Sequence, residues 1–533
     1  MRDAAACAVL VALGAVAFLW HSGDLPVRGE ESRWATVALE MMRSADFVVP
    51  RQQGEVFPDR PPLGSWAIAL SMRTLGRTDL AAIRLPSILA TLLTALAVYG
   101  CSRTFLSRLG AFTAGIAWLT AGQVLQLGRL AETEAVFTLC LGGAFLAWFA
   151  GPARGWPPVR TAVVAHGLAA LSGLAKGAHG PVAFLLGLAL AGRFEGEPRG
   201  RRTHAVGLGV MAAVLLAWLV PCALATDSVL AVWGSATVGD HLGHPDIPRH
   251  LLLFPLEALA VFLPWSALLP LLITSPGRAA LRAAGPPARG LLAAAAVVLA
   301  IGWLVPGART RYVLPALPCL APLIGLVAER LAAGDPPWRQ WQRHLLRLSA
   351  AAVVGAFVLV AGASLVPDGP GDLIRQPPAT VAAYGVLTLV FVLVLLCSPS
   401  GALRVLAIGL FMAVSWDGPV LGALIRRAPD TTAAITALRT RLPPEARLVS
   451  LGRVHHRFAY LWGEPIPIHA WPGPLPPAGT WLCLDEDPVR PLSFAWEPVA
   501  TIPLGRFRSS PSEAVLVGRV APEVAAGAGA DDR

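Results

Sequence analysis

Residues 29–66 read GEESRWATVALEMMRSADFVVPRQQGEVFPDRPPLGSW. The stretch holds Glu30, Glu31, Arg33, Glu40, Arg43, Asp46, Arg51, Glu55, Asp59 and Arg60, a dense polar island in a chain otherwise rich in Ala, Leu, Val and Gly. Such an island between apolar segments reads as a loop outside a membrane, tethered by helices that cross it. Within it, SRWATVALEMMR places Ala35, Ala38 and Met42 on one face with Trp34 and Met41 adjoining, which predicts a helix at the membrane surface. Glu30 and Glu31 fall at its N-terminal end, where the helix dipole stabilises carboxylates. DRPPLGSW reads as a turn entering a second helix, which sets Asp59 and Arg60 at that helix start. Residues 64–75 are apolar but short, as in an interfacial or re-entrant helix.

Working outward, the 533-residue chain is 55% hydrophobic and 14% charged. Soluble proteins carry about a quarter charged residues. Candidate membrane spans are 4–20, 85–102, 109–127, 134–150, 160–176, 178–192, 205–225, 251–273, 289–306, 312–329, 347–366, 379–397 and 404–424. The first of these reads as a retained helix, because no clear small-residue cleavage site precedes the polar loop. The expected fold is an all-α polytopic membrane domain of about 13 helices, followed by a small C-terminal α/β domain.

The formal net charge is +10. Its arginines are spread over short loops, which argues for membrane topology and against nucleic acid. Loops such as SRTFLSR, GPARGWPPVR and RFEGEPRGRR are arginine-rich, whereas LAETE and VPDGPGDLIRQPP carry more acid. The positive-inside rule then puts the N-terminus in the cytoplasm and, with an odd number of spans, the tail outside. Seven cysteines show no metal-type spacing, so neither a disulfide framework nor a zinc site is expected.

The domain expectation is a transmembrane domain over 1–425 with an external loop at 21–84, a small α/β domain over 426–520 and a disordered end over 521–533. In the tail, TTAAITALRTRL reads as a helix, and ARLVSLG, TWLCLDED, EPVATIPLG and EAVLVGRV as strands. His455 and His456 read as solvent-exposed residues of a loop or helix rather than metal ligands, because no other ligand type clusters near them.

Lys176 is the only lysine among the 43 basic residues. Arginine serves wherever a general positive charge is enough, so a solitary lysine marks a place that needs a compact ammonium. Lys176 closes the span 160–176 on the external side, in GLAKGAHG. Glu132 and Glu134 lie at the mouth of span 134–150, and Arg309, Arg311 and Tyr312 follow span 289–306 on the same side. Arg129 reads as an interfacial anchor. Carboxylates and cations thus converge on one membrane face, the equipment needed to deprotonate a hydroxyl while expelling a phosphate.

Here the order of motifs resembles the lipid A aminoarabinose transferases and protein O-mannosyltransferases, polyprenyl-phosphate-dependent membrane glycosyltransferases of the C-type fold. The family pattern D-E-x-R-Y-A, E-M, G-D-W-x-x-P and Y-F-E-K-P-P-L-x-x-W is matched by EESRWA, EM, ADFVVP and FPDRPPLGSW. RLAETEAVFT, LAKGAHG, the FLPW at Phe262 to Trp265, and YVLPALP are similar to its later segments. The likeness covers roughly residues 1–330.

The resemblance implies roles residue by residue. Glu30 matches the general base, with Glu31 and Arg33 beside it. Glu134 matches the second-loop acid that orients or charge-balances the site. Arg60, Lys176, Arg311 and Tyr312 match groups around the donor phosphate. Asp59 matches the acid that holds a divalent metal in the lipid A branch, so a divalent metal ion is the one cofactor implied. The implied partners are a polyprenyl-phosphate-linked sugar, a lipid or protein acceptor and the bilayer, in a bacterial inner membrane. Reaction would be by inversion at the extracytoplasmic face. Departures from the pattern are consistent: Glu for Asp at 30 and 134, Asp for Glu at 59, Arg for Lys at 60 and Phe for Tyr at 57. They argue for a divergent subfamily with its own substrate. Two readings of other classes stay open: a transporter or flippase of lipid-linked sugars, and a membrane scaffold whose tail binds a partner.

Overall fold

The structure, a computed structural model, describes all residues except 1, 58–59, 194–199, 228–246, 367–373, 471–472, 475, 486–491, 493, 505–513 and 522–533. The expected disordered end therefore lies almost entirely outside the described residues, as does Asp59. The chain divides into two units. One comprises Met1–Leu25, Val48–Pro50 and Pro58–Leu424; the other comprises Pro26–Phe47, Arg51–Phe57 and Ile425–Arg533.

The first unit is helical. Eight helices among the described residues are long and apolar enough to cross a membrane, or nine if one bent pair is a single span. That is fewer than the 13 expected stretches. Asp3–Leu19 and His179–Ala191 form helices of 17 and 13 residues. At 1.5 Å per residue the second reaches only about 20 Å, short of a ~30 Å hydrocarbon core. Burial sorts the long helices. Thr133–Ala150 and Thr310–Ala333 each have a central window 83% buried, against 17% for Arg201–Ala225 and Pro336–Leu365. The latter pair present Leu208, Leu216, Leu224, Leu348 and Leu359 outward, as lipid-facing helices do. Inside, Arg108–Thr120 crosses Leu317–Ala333 at Gly110 and Gly325. A Cβ on Gly325 would lie 2.3 Å from the Gly110 carbonyl oxygen, so only glycine permits that approach.

Two expected spans are broken. The stretch 109–127 splits at Ala121 into Arg108–Thr120 and Gly122–Leu127. The stretch 251–273 becomes Ile247–Ala260 and Trp265–Ile273, bent by 111°. Pro264 and Pro270 supply no N–H to a helix running through that region. The breaks satisfy each other: Gly122 N donates to Leu263 O at 3.1 Å and Gln123 N to Val261 O at 2.9 Å. Non-helical backbone at membrane depth survives only with such partners.

The second unit has a five-stranded mixed sheet in the spatial order Ile468–His469, Leu448–Leu451, Trp481–Asp485, Ala514–Val520, Trp496–Pro503. The first three run parallel and the last two pair antiparallel. Thr431–Arg441 and the short helix His456–Trp462 complete its core, with Leu438, Phe458, Trp462, Val515 and Val517 buried together.

The polar-loop helix, Glu31–Ser44, belongs to this unit rather than to the helical one. Its Glu40 accepts the backbone N–H groups of Gln53 and Gly54 at the turn of a small hairpin, Arg51–Gln52 with Glu55–Val56. The Gln53 side chain donates to Ser450 Oγ at 3.0 Å and Ile466 O at 3.2 Å, and accepts from Val454 N at 2.9 Å. One glutamine thus completes the hydrogen bonding of three backbone or hydroxyl groups in the tail.

Candidate active site

In the helical unit, four sequence-distant segments bring charge to one place. Lys176 ends the helix Pro158–Lys176, where Gly177 at φ 87° turns the chain away. Glu134 sits in the first turn of Thr133–Ala150, and Arg311 and Tyr312 lie in the 3-10 helix Thr310–Ala316. Lys176 Nζ donates to Glu134 Oε1 at 2.8 Å. Arg311 Nε lies 3.3 Å from the same oxygen, and Arg311 Nη1 donates to Glu132 Oε2 at 2.7 Å. The Lys176 ammonium lies 4.2 Å from the Tyr312 ring centroid and 5.6 Å from that of Phe137. Lys176 and Glu134 are each only 3% exposed. Arg60 acts electrostatically on Lys176 and on His179, whose ring packs 4.8 Å from Phe137. Three cations thus face two carboxylates, and a phosphate would complete the balance.

Sequence reasoning named Glu134, Lys176, Arg311 and Tyr312, and the fold assembles them. It did not single out Gln123. With its amide in the orientation that satisfies both ends, Gln123 donates to Thr310 O at 3.2 Å and accepts from Arg311 N at 2.9 Å, holding the Arg311 turn. The position reading of Arg129 is corrected. It is fully buried, not interfacial, and donates to Asp417 Oδ1 at 2.6 Å and to the carbonyls of Trp20 and Ala17. Asp417 lies in a π-helical turn, Trp416–Leu421, which no periodicity in the sequence announces.

In the second unit, Glu30 is the residue immediately before the helix Glu31–Ser44. Its Oε2 lies 2.8 Å from Arg33 Nε and 3.7 Å from His456 Nε2. His456 Nδ1 is 2.7 Å from the buried Ser32 hydroxyl. Arg33 also stacks over the Phe57 ring, where the family pattern has tyrosine. Glu31 is fully buried and accepts Arg28 N at 2.9 Å, so its carboxylate closes the helix start.

The solvent-exposed reading of His455 and His456 is corrected as well. His456 is 5% exposed and stacks on His455 with centroids 4.3 Å apart. Burial, then His455 and the cations Arg33 and Arg457, push the His456 imidazole down to about 2. Burial, then Arg457 and Arg33, push His455 down to about 4, with Glu30 opposing. Both rings are therefore neutral in the folded state. Exposure was the wrong inference because the pair opens a helix whose other face is core. Among the described residues, no three His, Cys, Asp or Glu side chains converge as a metal site would require.

Residues 59–223 match the dolichyl-phosphate-mannose-protein mannosyltransferase family. The chain is 32% identical over 130 residues to the undecaprenyl phosphate-alpha-4-amino-4-deoxy-L-arabinose arabinosyl transferase of Edwardsiella ictaluri, covering 24% of this chain and 23% of that relative. A similarly named transferase from Aeromonas salmonicida is 32% identical over 149 residues, 28% of this chain and 26% of its own. The chain thus spans about a quarter of the length of these curated relatives. Among solved structures, ArnT from Cupriavidus metallidurans bound to undecaprenyl phosphate has a TM-score of 0.72 at 19% identity, over 97% of this chain and 98% of that one. Together these likenesses give the chain the fold of the polyprenyl-phosphate-dependent C-type membrane glycosyltransferases, the family its motifs resemble.

Proposed function

We propose that this protein is an integral membrane glycosyltransferase that moves a sugar from a polyprenyl-phosphate donor to a lipid or protein acceptor at the extracytoplasmic face. The observation that carries the reading is the cluster of the buried Lys176, Glu134 and Glu132 with the half-buried Arg311, with Arg60 acting on Lys176 electrostatically. Cations held by carboxylates are preorganised for an anion and need no rearrangement to receive it. Relatives named for an undecaprenyl-phosphate sugar, and a neighbouring fold solved with undecaprenyl phosphate, supply the chemical class of that anion.

In the reaction, the acceptor oxygen forms a bond to the anomeric carbon as the bond from that carbon to the phosphate oxygen breaks. The electron pair leaves with polyprenyl phosphate, and the anomeric centre inverts. Glu30 takes the acceptor proton, and Arg33 holds its carboxylate. Lys176, Arg311 and Arg60 neutralise the leaving phosphate, Tyr312 packs beside the ammonium, and Glu134 keeps Lys176 and Arg311 in place. A divalent metal held by Asp59 would add charge at the same phosphate. In this reading the N-terminus lies in the cytoplasm and the tail outside, in a bacterial inner membrane, and the arginine-rich loops support that orientation.

The test is donor binding by the purified protein in lipid nanodiscs, titrated with undecaprenyl phosphate. Wild type is expected to bind and Lys176→Met to lose about tenfold or more in affinity, the worth of one charge-assisted bond. Equal affinities would remove Lys176 from phosphate recognition.

A further inference from the structure

The second unit joins the motif residues Glu30 and Arg33 to two groups that the family motifs do not specify, Ser32 and His456. Ser32 and Glu30 flank one turn at the start of Glu31–Ser44, and His456 comes from the tail, 424 residues away from Ser32. Ser32 is fully buried and its hydroxyl lies 2.7 Å from His456 Nδ1. A hydroxyl donating there leaves the ring proton on Nε2. That Nε2 stands 3.7 Å from Glu30 Oε2, beyond a direct hydrogen bond but within reach of a small rotation of the carboxylate, and Arg33 Nε approaches the same oxygen at 2.8 Å. His455 stacks on the ring's face, and Asp485 Oδ1 accepts His455 N at 3.0 Å, which holds the His455–His456 turn. Arg457 N donates to His455 Nδ1 at 3.1 Å, and the Arg457 guanidinium donates to Leu504 O.

We propose that His456 is a positioning residue for Glu30: Ser32 fixes its tautomer, and its Nε2–H, with Arg33, orients the carboxylate that takes the acceptor proton. The inference rests on the reading of Glu30 as the base. The tail unit then does more than decorate the membrane domain, because it supplies a group that sets the competence of the base. A neutral imidazole suits the task. It offers an N–H without adding a second full cation beside Arg33. Among the described residues, the charged and titratable groups around the ring are Glu30 and Arg33 at the start of the loop helix, His455 and Arg457 from the tail helix and its approach, and Asp485 from the neighbouring strand end.

The experiment uses the full-length protein in nanodiscs with an undecaprenyl-phosphate sugar that supports transfer. kcat, KM for the donor and the pH profile of kcat/KM are measured for wild type, His456→Asn, His456→Gln, Ser32→Ala and Glu30→Gln, with thermal unfolding run on each. His456→Asn keeps a partner for Ser32 but has no group where Nε2–H stood. It is expected to lower kcat about tenfold to a hundredfold with donor KM unchanged, and to shift the acidic limb upward, because the carboxylate loses the polar N–H edge that faces it. His456→Gln places an amide N–H near the lost Nε2–H and is expected to recover part of the rate. Ser32→Ala is expected to shift the limb in the same direction as His456→Asn, and it carries the test if the His456 variants unfold. In a Glu30→Gln background, His456→Asn is expected to change nothing further. A wild-type kcat and an unmoved profile in His456→Asn would overturn the proposal. So would a rate loss with an unmoved limb and no recovery by Gln, the signature of packing alone. Wild-type turnover by Glu30→Gln would instead overturn the reading of Glu30 itself.

Discussion

Breaking the Lys176–Glu134 pair from its two ends should have opposite effects on donor binding. At an effective dielectric of about 20, opposite charges 2.8 Å apart attract by about 6 kcal/mol gross. Arg311 Nε at 3.3 Å from the same carboxylate oxygen contributes about 5 kcal/mol on the same scale. Lys176→Met leaves Glu134 still paired with Arg311, so the net loss of stability should be modest, about 1–3 kcal/mol once the recovered desolvation of the ammonium is subtracted. Glu134→Gln strands the buried Lys176 ammonium and removes one of the two carboxylates on Arg311, which keeps Glu132, and should cost more, about 3–5 kcal/mol.

The order reverses for the lipid phosphate. Lys176→Met removes a charge-assisted donor and should weaken undecaprenyl phosphate about 10- to 100-fold. Glu134→Gln leaves Lys176 without its carboxylate while Arg311 keeps Glu132, and it should bind the anion at least as tightly as wild type, with a larger ligand-induced gain in thermal stability. The assay is thermal unfolding in detergent with and without undecaprenyl phosphate, paired with direct titration. If both variants lose affinity together, or if Lys176→Met is the less stable of the two, the cluster is a structural ion pair rather than a phosphate cradle.

Other outcomes follow from the same geometry. Glu30→Gln should reduce transfer by about 10²–10⁴-fold while leaving undecaprenyl phosphate affinity unchanged, as single-turnover and binding measurements would show. His455 and His456 are held at about 4 and about 2, below the ordinary 6.5. The unfolded chain therefore binds more protons below about pH 6.5, and stability of the tail unit is full above that value and declines as pH falls, through about 4 for His455 and on toward about 2 for His456. Hydrogen exchange of the strand Leu448–Leu451 as a function of pH reads this directly, and a flat response would contradict it. Asp417→Asn should destabilise by about 3–5 kcal/mol because Arg129 is left buried without its anion, while Arg129→Met with Asp417→Leu should cost less than either single change. Gly325→Leu should abolish folding of the helical unit, whereas Gly355→Leu, whose Cβ direction is open, should be tolerated.

The helical unit is largely legible in the sequence because the bilayer imposes a length and a composition on each span. Lys176 stands out as the chain's only lysine, and its neighbours follow from which side each span ends on. The breaks at Ala121 and Pro264 are not legible by that logic, because what makes them tolerable is the other break, 140 residues away. Arg129 is misread for a similar reason: an arginine beside a span end usually anchors, and its partner Asp417 lies 288 residues away in a turn without helical periodicity. The polar loop reads as a single piece of chain, yet the helix Glu31–Ser44 and the hairpin at 51–56 join the tail unit, through Gln53 and His456. Contacts of that sequence separation leave no local pattern. His455 and His456 accordingly look like exposed loop residues until the core of Phe458 and Trp462 beneath them is seen.

The central claim is tested most directly by reconstituting the full-length protein in liposomes with radiolabelled polyprenyl-phosphate sugars and a panel of lipid and protein acceptors. Covalent transfer of label to an acceptor is expected, with release of polyprenyl phosphate in equal amount and an inverted anomeric centre, all lost in Glu30→Gln. Movement of the intact lipid-linked sugar between leaflets, with no covalent product and no dependence on Glu30, would contradict it.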